Sequence, residues 1–495
     1  MKERRILALR FEGLPAAGAA LAGAALAAAV LASAVLASTA SGVAGQSYDL
    51  VLSGGRVMDP ESGLDAVRHI GIRGGMIEAV AASPLDGETV VDVAGLVVAP
   101  GFIDLHAHGQ DLFSSRLQAR DGVTTALELE GGTGDVEAWY ASREGQAVIH
   151  YGATASHGAA RRLALGGREE AVRLAADLEQ VAVMESRLRE ELGRGALGIG
   201  YGIQYTPGAR REEIHRMFRL AAEEGVTNFV HIRYAGMVEP GSSIEAVQEM
   251  IANAASTGAG VHIVHIGSSG LGQVPTLLSL IEGAQERGLD VTTEVYPYTA
   301  ASTDIRAAIF DPGWRERLGG DYGDIEWDAT GERLTEETFN ERRETGGRII
   351  AHIIPQEMFE LALAHPAVMV ASDGVPFVDG QGHPRGAGTF ARVLGRYVRD
   401  EGLLTLMDAI RKMTLMPAQR LEAYVPQMAD KGRIRVGAVA DITVFDPATV
   451  IDNATFASPT QPSSGIEHVI VGGTFVVRDA ALVEGAFPGR PIRRH

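Results

Sequence analysis

Two histidines one residue apart, His106 and His108, close an apolar run in APGFIDLHAHGQD, and His231 in NFVHIRYAG and His265 in VHIVHIGSSG close later runs of the same kind. Side chains at i and i+2 of a strand share one face, so His106 and His108 converge on one point, as metal-ligating imidazoles must. A lone strand histidine is ordinarily a core residue with a partner, and His262, three residues before His265 and on the other face, reads that way. Glu128 and Glu130 share a face in TTALELEGG. Two carboxylates in an apolar run need a reason, because an unpaired buried charge is costly. Glu130, nearer the end of the run, is the candidate ligand, with Glu128 behind it; the alternative is that one or both face outward towards arginine. Asp373 closes VMVASDG, where it faces a metal-activated water as general base or else caps the turn before Gly374. Histidine and carboxylate around one or two divalent ions suit zinc, which lowers the pKa of water towards ~7 and polarises a carbonyl. That is the chemistry of a hydrolase.

These residues sit at the ends of runs that a larger pattern organises. Eight candidate strands, Val97 to His106, Val123 to Glu130, Gln146 to His157, Gly195 to Gly200, Thr227 to Arg233, Gly260 to Ile266, Asp290 to Tyr296 and Ala367 to Asp373, alternate with amphipathic stretches. Eight such units predict an α/β fold, a (β/α)8 TIM-like barrel, whose chemistry lies at the C-terminal ends of its strands. The barrel is expected over residues 99–431, with a charged, Gly- and Glu-rich insertion at about 304–347. Short glycine-punctuated β runs before and after it, residues 47–98 and 432–490, predict a small β-sandwich formed by both chain ends.

The formal net charge of −19 argues against nucleic acid, which needs a concentrated basic surface. There is no cysteine, so disulfides, thiolate ligands and thiol nucleophiles are all excluded. Met1 to Arg10 is basic, and no charge follows Glu12 until Asp49. Residues 1–46 therefore read as a signal peptide or an N-terminal anchor, exporting the protein to the periplasm or medium or holding it to a membrane by residues 14–37. A mis-assigned start or an Ala-rich leader is the alternative.

With those positions in hand, the sequence resembles the amidohydrolase superfamily and, within it, the N-acyl-D-amino-acid deacylase (D-aminoacylase) family. GALGIGYGIQYTPGA, HIRYAG, EVYPYTAAST, the long HPRGAGTFARVLGRYVRDEGLLTLMDAIRKMTLMPAQRL run and GRIRVGAVADITVFD carry the likeness across most of residues 48–480. The resemblance implies hydrolysis of an N-acyl-D-amino acid, a small molecule, to a carboxylate and the free amino acid. It also implies that Arg385 grips the substrate carboxylate through its bidentate fork. Tyr205 and Tyr298 would line the same pocket, with Ser302 and Thr303 beside them; rim packing is the other reading of the tyrosines.

Three departures from the family pattern stand out. Its D-aminoacylases carry a cysteine ligand in a GNCG-like turn after the second strand, where this chain has Glu130-Gly131-Gly132. Other amidohydrolases bridge two metals with a carboxylated lysine on the fourth strand, but no lysine lies between Lys2 and Lys412. At the sixth strand, Gly267 replaces the lysine of an SHLK-type motif. Rival readings are an isoaspartyl dipeptidase or a cyclic-amide hydrolase such as a dihydroorotase, and, in another class, a non-catalytic barrel scaffold.

Overall fold

The computed structural model describes residues 47–495. The expected leader, residues 1–46, lies outside the described residues, and among those described no helix is long and apolar enough to cross a membrane. Eight parallel strands form one sheet in chain order: β1 (Phe102–Asp104), β2 (Val123–Thr133), β3 (His150–Ser156), β4 (Ile199–Gly202), β5 (Asn228–His231), β6 (Val261–Ile263), β7 (Val291–Val295) and β8 (Val368–Val370). Nearly every residue of these strands is buried. That is the pattern of a parallel sheet covered on both faces, rather than the alternation of a half-exposed one.

The helices that cover the outside begin and end where local chemistry dictates. They are α1 (Leu112–Arg120), α2 (Val136–Ala141), α3 (Leu178–Gly193), α4 (Arg211–Glu224), α5 (Ser243–Thr257), α6 (Val274–Gln285), α7 (Gln356–Ala364) and α8 (Leu406–Met413). Asp177 with Gln180 and Ser242 with Glu245 form capping boxes at the starts of α3 and α5. Gly225 and Gly258 end α4 and α5 in the left-handed conformation.

The barrel closes between β1 and β8 through polar groups rather than a strand ladder. Asp104 accepts from the Ser372 backbone N–H at 3.0 Å and from its hydroxyl, while the N–H groups of His108 and Gly109 donate to the Gly374 carbonyl at 2.7 and 2.9 Å. The lower interior is apolar, packed by Leu105, Leu127, Leu129, Leu197, Phe229 and Met369. Ile492 of the C-terminal tail joins that cluster at 1% exposure, fixed by the bond from its N–H to Tyr151 O (2.7 Å) and from Tyr140 Oη–H to its carbonyl (2.6 Å).

The run Val97 to His106, expected as one strand, is two. Val97–Pro100 pairs antiparallel with Ile442–Phe445 in the terminal sheet, and only β1 enters the barrel. Pro100 lacks the N–H a ladder needs, and a Cβ on Gly101 would lie 2.2 Å from Thr124, so the chain turns there from one sheet into the other. Both chain ends thereby share one continuous nine-stranded sheet enclosing a separate core that includes Leu52, Val57, Ile70, Ile442 and Ile470.

Between β7 and α7 the chain forms a four-stranded antiparallel sheet from Ala301–Asp304, Ile325–Trp327, Glu332–Arg333 and Arg348–Ala351. In the same segment Phe310, Trp314 and Phe339 pack on one another. Arg348 ties this sheet to the loop after β8, donating to Asp328 Oδ2 (2.7 Å), to Gln381 O (2.9 Å) and to Pro376 O.

Candidate metal centre and active site

The C-terminal ends of β1, β2, β5, β6 and β8 bring His106, His108, Glu130, His231, His265 and Asp373 together. His106 donates Nδ1–H to Glu294 Oε1 (2.6 Å) and His108 donates Nδ1–H to Glu128 Oε2 (2.8 Å), so both turn Nε2 inward. Those two nitrogens lie 3.1 Å apart. Glu130 Oε2 is 3.3 and 3.0 Å from them, and Asp373 Oδ1 is 3.4 and 3.5 Å from them. Donors about 2.0–2.1 Å from a tetrahedral ion stand about 3.3–3.4 Å from one another, so His106, His108 and Glu130 fit one divalent ion, with Asp373 beside both imidazoles.

A second group shares Glu130. His231 donates Nε2–H to Gln204 Oε1 (2.7 Å), which turns Nδ1 inward, 2.8 Å from Glu130 Oε1 and 3.0 Å from His265 Nε2. His265 Nδ1 is held by Ser269 Oγ at 2.9 Å. Glu130 thus presents one oxygen to each group, as a bridging carboxylate would. His265 (φ 35°) and Asp373 (φ 50°) both adopt left-handed backbone conformations at their strand ends. Such strain in a residue other than glycine persists where the surroundings over-determine it.

The electrostatics point the same way. Burial opposes a charged imidazole, yet the Asp373 and Glu294 carboxylates push His106 up to about 10, and Glu128 and its neighbours carry His108 well above its ordinary value. Burial likewise opposes ionisation of Glu130, but the four imidazoles hold it well below the carboxylate range. Burial lowers His231 instead, so it is the His106–His108 side of the cluster that draws protons and is short of positive charge, and a divalent cation supplies it. For Asp373 burial is outweighed by the Arg385 guanidinium, whose Nη1 lies 3.0 Å from Oδ2, and by the imidazoles, so it is ionised.

Above the centre lies a cavity of about 400 Å³ lined by Tyr205, Ser302, Thr303, Arg348, Val375 and Pro376 together with His108, Glu130, His231, His265 and Asp373. Tyr205 packs against His231 with ring centroids 4.7 Å apart and the planes tilted by 54°. Tyr298 is not brought to this cavity; it is buried against His383 and Arg392. Arg385 lies below the lining, 1% exposed, with its guanidinium over the Tyr296 ring. Its Nε, and the hydroxyl of Ser302, are buried without a hydrogen-bond partner among the described residues.

Glu128, expected behind the ligands, is the group that holds His108, but sequence reasoning missed the other groups that orient the imidazoles. Glu294 holds His106 and also accepts from His262 (3.0 Å), which accounts for that structural histidine. It stands alone in VTTEV, and the buried-charge argument applied to Glu128 would have found it. Gln204 lies in a short 3₁₀ turn, Ile203–Tyr205, and Ser269 in a five-residue helix, Ile266–Gly270, neither of which carries a periodic signal.

The amidohydrolase family profile matches residues 89–477. An N-acyl-D-glutamate deacylase of Alcaligenes xylosoxydans xylosoxydans is 33% identical, covering 91% of this chain and 97% of its own. Among solved structures, an N-acyl-D-glutamate deacylase from Bordetella bronchiseptica, complexed with zinc and a phosphonate mimic of the tetrahedral intermediate, superimposes with a TM-score of 0.80 at 28% identity, covering 90% of this chain and all of the other. A D-aminoacylase described as having a binuclear metal centre, with one-metal activation and second-metal attenuation, gives a TM-score of 0.76 at 28% identity with the same coverage.

Proposed function

The chain belongs to the amidohydrolase family, and we propose that it is a metal-dependent deacylase that hydrolyses the linear amide of N-acyl-D-amino acids. The observation that carries this reading is the convergence of four imidazole nitrogens and two carboxylates, at separations matched to divalent-ion coordination, on the floor of a cavity large enough for a small substrate. His106, His108, Glu130, His231, His265 and Asp373 would hold one or two ions, and the tetrahedral nitrogen-and-oxygen donor set favours zinc. When bound, such an ion supplies Lewis acidity, polarising the amide carbonyl and acidifying water.

The chain's own residues do the rest. Asp373, kept ionised by Arg385, takes the proton from the attacking water and delivers it to the departing amine nitrogen. Arg385 holds Oδ2 and so aims Oδ1 at the reacting centre. The hydroxyl of Ser302, in the cavity wall and without a hydrogen-bond partner among the described residues, is a group that a substrate carboxylate would satisfy, while Arg385, beneath the lining, acts through Asp373. Tyr205 and Thr303 wall the cavity. The basic start and long apolar run of residues 1–46 support export, by a cleaved signal or an uncleaved anchor; sequencing the N-terminus of the mature protein separates the two.

Zinc-loaded protein assayed on N-acetyl and N-formyl derivatives of D- and L-amino acids tests the activity. Release of D-amino acids is expected. Turnover confined to L-substrates or cyclic amides would overturn the reading.

A further inference from the structure

Behind Tyr205 a second and larger cavity, of about 620 Å³, adjoins the catalytic one. The two share Tyr205, Thr303 and Asp304 in their linings, and Gly131, the neighbour of Glu130 in the chain, lines the second. The guanidinium groups of Arg162, Arg168, Arg173 and Arg306 also line it, against the carboxylates of Glu169 and Asp304. Arg173 is bound by Asp311 (3.0 Å) and lies 3.8 Å from Glu169, while Arg306 lies 3.4 Å from Asp304. Among the described residues the guanidinium groups of Arg162 and Arg168 have neither an ion pair nor a hydrogen bond. A cavity with two uncommitted cations, in a chain of net charge −19, is a local reversal of sign that attracts an anion. Guanidinium suits a carboxylate in particular.

The geometry of the centre says which end of a substrate would reach it. Asp373 delivers its proton to the departing amine, so the amine half lies on the Asp373 side. Tyr205 packs against His231, which shares a donor group with Glu130 and His265 but not with Asp373. The acyl half therefore points towards Tyr205 and the cavity behind it. The catalytic cavity already suffices for a small acyl group, so the second serves a longer one. We propose that this second cavity is an acyl subsite for N-acyl-D-amino acids whose acyl chain ends in a carboxylate, with Arg162 and Arg168 receiving that anion. The inference rests on the deacylase reading.

The test compares kcat/KM of the zinc-loaded full chain on N-glutaryl-D-leucine and N-(5-methylhexanoyl)-D-leucine, which have the same shape and differ by a terminal carboxylate in place of an isopropyl group. At low salt the glutaryl substrate is expected to be preferred by about 5-fold or more. The preference should shrink towards one in 1 M NaCl, where charges are screened beyond about 3 Å. Joint Arg162→Gln and Arg168→Gln substitution should also bring the ratio towards one at low salt, and a ratio is unmoved by any loss of folded or metal-loaded protein. Equal rates on the two substrates, or a glutaryl preference that the double substitution leaves intact, would overturn the subsite. If the double substitution instead abolished a preference for N-acetyl-D-glutamate over N-acetyl-D-glutamine, with glutaryl never favoured, the anion would enter on the amino-acid side chain and the acyl assignment would fall. Inertness on every N-acyl-D-amino acid would sink the substrate reading together with this one; an active deacylase indifferent to acyl charge would sink this one alone.

Discussion

Two buried histidine–carboxylate clusters lie at opposite ends of the barrel, and they differ in one respect. At the lower end, Asp441 accepts from Lys431, from His150 (3.1 Å) and from the backbone N–H of Gly472 (2.7 Å), and the Arg490 N–H donates to the other His150 nitrogen (3.0 Å). That cluster contains its own cation and every group in it is paired. At the upper end, Glu128, Glu130, Glu294 and Asp373 surround four imidazoles, and among the described residues the guanidinium or ammonium in contact with them is that of Arg385. Buried charges persist only when paired. The lower cluster therefore serves stability, and the upper one is built around a cation brought from outside.

Substitutions that convert one kind of cluster into the other sharpen the contrast. Asp373→Asn removes the proton acceptor and should lower kcat by about 10²–10⁴-fold in steady-state assays, and because buried Arg385 loses its counter-charge the melt should fall as well. Glu130→Ala takes away the oxygens shared by both donor groups, and metal content and activity should fall together. Unchanged metal and turnover would make Glu130 an ordinary structural carboxylate. Lys431→Met leaves Asp441 buried without its cation and should cost about 3–5 kcal/mol of stability in denaturant titrations, while the folded fraction keeps its metal. Loss of metal in that variant would mean that the two clusters are coupled.

The smallest effect concerns pH. Burial alone would raise Asp441, but Lys431 and His150 outweigh it and hold the carboxyl well below its ordinary range. Its folded pKa is thus lower than the value of about 3.9 in the unfolded chain. In acid the unfolded state binds the extra proton, so this stability is present above about pH 4 and is lost as pH falls further. Asp441→Asn should flatten the acid limb of the stability curve and leave the neutral region lower but level. An unaltered acid limb would mean that Asp441 contributes nothing to it.

The upper cluster was more legible in the sequence than the groups supporting it. His106, His108, His231, His265 and Asp373 each end an apolar run, and strand parity puts Glu130 on the inward face, so residue type and position together announce them. The eight-strand pattern was visible for the same reason. What escaped was whatever depends on contacts distant in sequence. Gln204 and Ser269 have local neighbourhoods that give no sign of an imidazole above them. The break at Pro100-Gly101 follows from a clash with Thr124, 23 residues on, which only the folded sheets reveal. Arg385 and Asp373 are separated by a loop whose path fixes their ion pair, and no periodicity encodes that path.

The most direct test of the central claim removes the cation. Protein stripped by chelator, and verified as metal-free by elemental analysis, should hydrolyse no N-acetyl-D-amino acid, and returning up to two equivalents of Zn2+ should restore turnover. Hydrolysis at an undiminished rate by verified metal-free protein would contradict the account.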